Sequence, residues 1–232
     1  MKQIIGSAFS DAPGLLRSRM PVYLVLTMLS VLVGLGVAFA PFPKDESTPQ
    51  MGIFVTAYAT IYVSLILGTI AAYFAVPAAA RTVRPGFGMT IGRFFGLLGL
   101  GYAFALAFEF GLILLVVPGF WFGVKWSQYV WTYLLNDGDD PLDESWRITT
   151  GRYWETFGFS LLLALVLGIP LVVVWGIVGV LVAFFPITAI ALIAVAFGVM
   201  LYLVNVGVLA QMRWMLHLRA GVRAPAAPVA TA

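Results

Sequence analysis

Two charged side chains, Glu109 and Lys125, stand inside long apolar stretches of the sequence. Glu109 falls eight residues before Val117, and Lys125 six after Gly119. On a helical hairpin turning at Pro118-Gly119, a rise of about 1.5 Å per residue would set each about 10 Å below the turn, where they could face one another. A charge inside a bilayer is expensive and often marks an ion or substrate path. The plainer chemistry is a structural ion pair that pins one helix to the next. In a third reading Lys125 snorkels along its apolar stem to the outer interface.

Other residues could do chemistry only in better company. Asp137, Asp139, Asp140, Asp143 and Glu144 offer the oxygen ligands that Ca²⁺ or Mg²⁺ prefer. Pro141 and Leu142 occupy places where a calcium loop needs ligands, so helix capping explains the run better. His217 has no second histidine near it. Ser30, Ser64 and Ser127 have no histidine or paired base to activate them. Cysteine is absent, which excludes disulfides, thiolate metal sites and cysteine nucleophiles. No phosphate-cradling glycine loop ending in Gly-Lys-Ser/Thr occurs. No catalytic set, metal or cofactor is expected.

Tyr129, Trp131, Tyr133, Trp146, Tyr153, Trp154 and Trp214 gather near ends of apolar stretches, among Arg147, Arg152 and Arg213. Aromatic rings favour the membrane–water interface. Anchoring is the simple reading; a pocket for an anionic lipid headgroup, built from Arg147, Arg152, Trp146, Trp154 and Arg213, is the specific one. Small residues recur as Gly34 and Gly36, Gly92 and Gly96, Gly99 and Gly101, Gly176 and Gly179, a pattern that lets helices pack closely. Asn205 is expected to bond a neighbouring helix.

These residues are carried by elements that the composition limits to one class. Of 232 residues, 62% are hydrophobic and 10% charged, with a mean hydropathy of +1.01. A soluble domain carries about a quarter charged residues, too many more than here for water to be the solvent. Lipid removes the difficulty. Six apolar stretches follow, at about 22–40, 52–76, 94–117, 120–135, 157–180 and 187–212. A helix crossing a core about 30 Å thick needs about 20 residues, which most of these exceed. Pro118-Gly119 reads as a tight turn between the third and fourth, and Gly168 and Pro170 as a kink in the fifth. Residues 3–19 read as a short amphipathic surface helix broken at Pro13-Gly14. Between the fourth and fifth spans, Asp140 suits an N-cap, Pro141 the first helical position, and Asp143 and Glu144 the first turn of a helix over 141–149.

Basic residues set the orientation. One side holds Lys2, Arg17, Arg19, Arg81, Arg84, Arg93, Arg147, Arg152, Arg213, Arg219 and Arg223; the other holds only Lys44, beside Asp45 and Glu46. The excess places both termini in the cytoplasm. The pI near 9.3 therefore reflects topology, not nucleic-acid binding. Residues 1–20 lack the continuous apolar run of a cleaved signal peptide.

The run Leu115-Val116-Val117-Pro118-Gly119, the aromatic-rich span after it, the acidic break, and Ser145-Trp146-Arg147-Ile148-Thr149 with Gly151 and Trp154 form a pattern over residues 112–157. It resembles the six-helix membrane domain fused to some bacterial glycerophosphodiester phosphodiesterases, and related stand-alone bacterial membrane proteins. The resemblance implies a bacterial inner-membrane location. It implies no catalysis, because no phosphodiesterase domain accompanies these residues.

The sequence thus predicts an all-α polytopic membrane protein of six transmembrane helices with short amphipathic cytoplasmic helices. One domain covers 1–219, and an Ala/Pro-rich disordered tail covers 220–232. The expected role is a non-enzymatic scaffold, regulator or accessory subunit contacting membrane lipids or another membrane protein. The alternative is a small transporter or channel for an amphipathic solute.

Overall fold

The computed structural model describes residues 1–38, 49–97, 99–101, 103, 116–135, 140–184 and 189–223. Among these residues there are helices and no strands. In chain order they are α1 (Lys2–Ser18), α2 (Met20–Ala38), α3 (Pro49–Val83), α4 (Ile91–Gly101), α5 (Val116–Lys125), α6 (Tyr129–Leu135), α7 (Pro141–Thr149), α8 (Tyr153–Phe184) and α9 (Ala189–Arg223).

Three stretches are long and apolar enough to cross a membrane: Ile66–Val83 in α3, Tyr153–Leu181 in α8 and Ala191–Gly221 in α9. The pair Lys2–Ser18 and Met20–Leu32 makes a fourth if counted as one bent span. The described chain therefore supplies three to four candidate spans rather than six. Most of the expected third span, Glu109 included, lies outside the described residues. The expected fourth span is not one helix: α5 stops at Lys125, residues 126–128 turn, and α6 adds seven residues. Pro118-Gly119 is not a turn either, but part of α5. A proline in the first turn of a helix loses no hydrogen bond, because the N–H it lacks would have had no partner.

Helix ends also move from their expected places. α3 continues through Pro77 to Val83. α9 runs to Arg223, so the first residues of the expected tail are helical. α1 is unbroken at Pro13. Proline at position 13 leaves the carbonyl of Phe9, four residues earlier, without its helical donor. The Tyr202 hydroxyl of α9 donates to that carbonyl at 3.0 Å, and the Phe9 and Tyr202 rings meet at 6.1 Å. A contact from another helix thus replaces the missing bond. α1 buries Ile5, Ala8, Ala12 and Leu15, one stripe at helical spacing. It meets α2 at 86°, the angle expected of a surface helix leading into a span.

The chain gathers into two compact units. One holds Met1–Ile5, Ala79–Leu162 and Ala210–Ala232; the other holds Gly6–Ala78 and Leu163–Leu209. In the second, Tyr23, Leu26, Leu67, Ala71, Phe197, Met200 and Leu201 form one core cluster. Trp175, Val178, Ile193 and Ala196 form another. The Tyr23 hydroxyl donates to Asn205 Oδ1 at 3.0 Å, and Asn205 Nδ2 donates to the Leu201 carbonyl at 2.8 Å. Asn205 does bond a neighbouring helix, as its place in an apolar span required.

α8 and α9 differ in what surrounds them. Half of the apolar window of α9 is buried, against 17% for α8. Leu165, Ile169, Val172, Val173, Ile177 and Val180 repeat at helical spacing along α8 and are all exposed. An exposed aliphatic face of this length is stable only against lipid or another apolar surface. The glycines of α8 do not serve close packing within the chain: side-chain space at Gly176 and Gly179 is open, as it is at Gly92 and Gly99. Close approach occurs elsewhere. A Cβ at Gly68 would meet Met200 Cε at 2.9 Å, one at Gly207 would meet Leu167 Cδ1 at 2.9 Å, and one at Gly96 would strike the Tyr133 hydroxyl.

Candidate functional site

The residues worth following lie in the first unit, around α5, α6 and α7. α7 forms where its own sequence dictates. Asp140 accepts from the backbone N–H of Leu142 at 2.9 Å and of Asp143 at 3.4 Å, and Pro141 opens the first turn. The helix ends at Thr149 with Thr150 as its extended cap, and Gly151 beyond it, with a φ of 80° that glycine adopts at little strain, leads the chain toward α8. Asp140 is therefore a cap; Asp137 and Asp139 lie outside the described residues. Among the described residues no group of three or more His, Asp or Glu side chains is placed to hold a metal ion.

Each face of α7 receives a different partner. Ser145 and Thr149, four residues apart, are fully buried. The Ser145 hydroxyl donates to the Lys125 carbonyl at 2.8 Å and accepts from the Gln128 N–H at 3.2 Å. The Thr149 hydroxyl also reaches the Lys125 carbonyl, at 3.3 Å. The last carbonyls of a helix have no internal donor; here α7 supplies donors to the end of α5. Thr132 Oγ1 donates to the Pro141 carbonyl at 2.7 Å and ties α6 to the start of α7.

Trp146 and Thr150, also four apart, meet the Lys125 side chain. Its Nζ lies 3.0 Å from Thr150 Oγ1, 5.1 Å from the Trp146 ring centroid and 5.4 Å from that of Trp121. Lys125 is 4% exposed. Removing an ammonium from water carries a large penalty unless other groups stabilise its charge. Two indole faces and one hydroxyl do so here, cation–π contacts of this kind being worth about 2 kcal/mol when desolvated. Glu109, the expected partner, lies outside the described residues. Trp121 and Thr150 were not among the expected site residues. Their signal was present as i, i+4 spacing: Trp121 with Lys125, and Trp146 with Thr150.

The residues expected to make a lipid-headgroup pocket have these partners and exposures. Trp146 packs on Lys125. Arg147 forms a forked pair with Glu144, Nε to Oε2 at 2.7 Å and Nη2 to Oε1 at 3.0 Å. Arg219 of α9 reaches Glu144 Oε1 at 3.5 Å. Hydrogen bonding from Arg147 holds the Glu144 carboxyl below its ordinary range, Arg219 adds to this, and partial burial opposes it. The Arg152 guanidinium lies against the backbone at Gly221. Arg213 is half-buried. Trp154 is 78% exposed and meets Tyr153 and Phe157 edge-on. Trp131 and Trp214 are buried, and their Nε1 atoms have no hydrogen-bond partner among the described residues. Trp214 stacks on Phe159 at 4.5 Å. These two indoles are core, not interface anchors.

The arrangement can clamp helices together through hydroxyls, a caged cation and a shared carboxylate. No protein-family model, no curated protein and no solved structure matches the chain.

Proposed function

We propose that this chain is an integral protein of the bacterial inner membrane that works without catalysis, as a scaffold, regulator or accessory subunit contacting lipids or a membrane partner. The observation that carries the reading is the fate of its buried polar side chains. Among the described residues, Tyr23, Asn205, Lys125, Thr132, Ser145 and Thr149 all bond to the chain itself, and only Gln128 Oε1 and Thr156 Oγ1 of the fully buried polar residues have no partner there. A conducting path for a hydrophilic solute needs polar groups facing a lumen. The exposed aliphatic face of α8 supports contact with lipid or with another membrane helix. The crossings are even in number, with both termini cytoplasmic. Membrane lipids are the first partner, and the similarity over 112–157 favours the phosphodiesterase-associated membrane domains as relatives.

Purification in mild detergent, followed by reconstitution into liposomes, tests this. A stable co-purifying membrane partner, with no solute flux from the reconstituted chain, is expected. A monomer that moves an amphipathic solute across liposomes would replace this reading with the small-transporter alternative, in which Glu109 and Lys125 line the path.

A further inference from the structure

We infer that α5 does not begin at the far face of the bilayer, but inserts its Phe120–Trp121 end into the same interfacial aromatic belt as the start of α8, on the leaflet that faces α7. This rests on the membrane reading above. Three contacts fix how α5 runs. Phe120 meets Phe157 at 6.5 Å, Trp121 stacks on Tyr153 at 4.6 Å, and Lys125 touches Trp146 and Thr150. Going down α5 therefore means going backward along the chain from α8 into α7. The candidate span of α8 opens at Tyr153. Phe157 lies four residues inside it, about 6 Å along a helix axis. Phe120 is thus close to the edge of the bilayer at which α8 enters, not about 30 Å away at the other.

The surface these rings make suits that place. Phe120, Trp121 and Trp154 are 47%, 42% and 78% exposed and are joined through Tyr153 and Phe157. Exposed rings of this composition at the mouth of a span seek the headgroup–acyl boundary. Arg152, next to Tyr153 in sequence, adds a cation beside the belt that an anionic leaflet attracts. The occupant of the patch is the lipid interface itself. With α5 on this side, the described chain crosses with α2, α3, α8 and α9, and the parity required by the basic residues is kept.

The chain has no cysteine, so introduced pairs report cleanly. Trp121→Cys with Tyr153→Cys, and separately Phe120→Cys with Phe157→Cys, are treated in native membranes with a short bifunctional thiol cross-linker. Near-complete intramolecular cross-linking is expected in at least one pair. A headgroup-level nitroxide lipid should quench the wild-type emission more than that of Trp121→Phe/Trp154→Phe. Failure of both pairs in folded, membrane-inserted variants, or equal quenching, overturns the inference. Release of the chain by carbonate washing overturns the membrane reading instead, and sedimentation reads that separately.

Discussion

Replacing Tyr202 by Phe should weaken the fold by removing one hydrogen bond and nothing else. The ring stays, with its contact to Phe9; only the hydroxyl that serves the Phe9 carbonyl is lost. A net hydrogen bond is worth about 0.5–1.5 kcal/mol, and a buried acceptor left unsatisfied costs about 1–3 kcal/mol. Phe9 and Tyr202 are half-buried, so about 1 kcal/mol is expected, a several-fold fall in the folded-to-unfolded ratio. The reason for the bond is Pro13, and that gives the sharper test. Pro13→Ala restores an N–H that can donate to the same carbonyl. In the Pro13→Ala background the Tyr202→Phe loss should shrink to about a third or less, a coupling above the few tenths of a kcal/mol at which unrelated sites add. Reversible unfolding of the detergent-solubilised protein by SDS, followed by tryptophan emission, measures all four corners. Equal losses in both backgrounds would refute the claim that Tyr202 repairs the helix at Pro13.

Asn205→Leu strands the Tyr23 hydroxyl and should destabilise by about 1–3 kcal/mol, whereas Asn205→Leu with Tyr23→Phe should recover part of that loss in the same unfolding assay. Ser145→Ala removes partners from both the Lys125 carbonyl and the Gln128 N–H, and should cost more than Thr149→Ala, about 1 kcal/mol apart; equal losses would argue against Ser145 as the main tie between α5 and α7. Glu144 has a folded-state pKa below its unfolded value, so its contribution is complete above the ordinary carboxylate range and is lost as pH falls through the folded value. An acid titration of stability should therefore flatten in Glu144→Gln. Gly176→Ala with Gly179→Ala enters open space and should be neutral or stabilising by up to about 1 kcal/mol each. A loss of partner co-purification from that folded variant would place a partner helix on this face.

Some of this architecture was legible one element at a time. The shortage of charge pointed to helices apolar enough to cross a membrane, and the described residues hold three to four of them. α7 was readable to the residue, since Asp140, Pro141 and the acidic first turn act within a few positions of one another. Asn205 announced a partner because an amide in hydrocarbon must find one.

What could not be read depends on contacts between residues far apart in sequence. Pro13 ought to end α1, and a hydroxyl 189 positions later (202 − 13) lets the helix continue. Residues 120–135 have the length and hydropathy of a span, yet the Ser145 and Thr149 hydroxyls stop α5 at Lys125. Trp131 and Trp214 carry the composition of interface anchors and are buried in the core. Composition and local spacing set the solvent and the helices, because those energies arise within a few residues. Which apolar stretch forms one long helix, which ring is exposed and what surrounds a buried ammonium were decided only when distant surfaces met, because burial belongs to pairs of surfaces and not to either sequence alone.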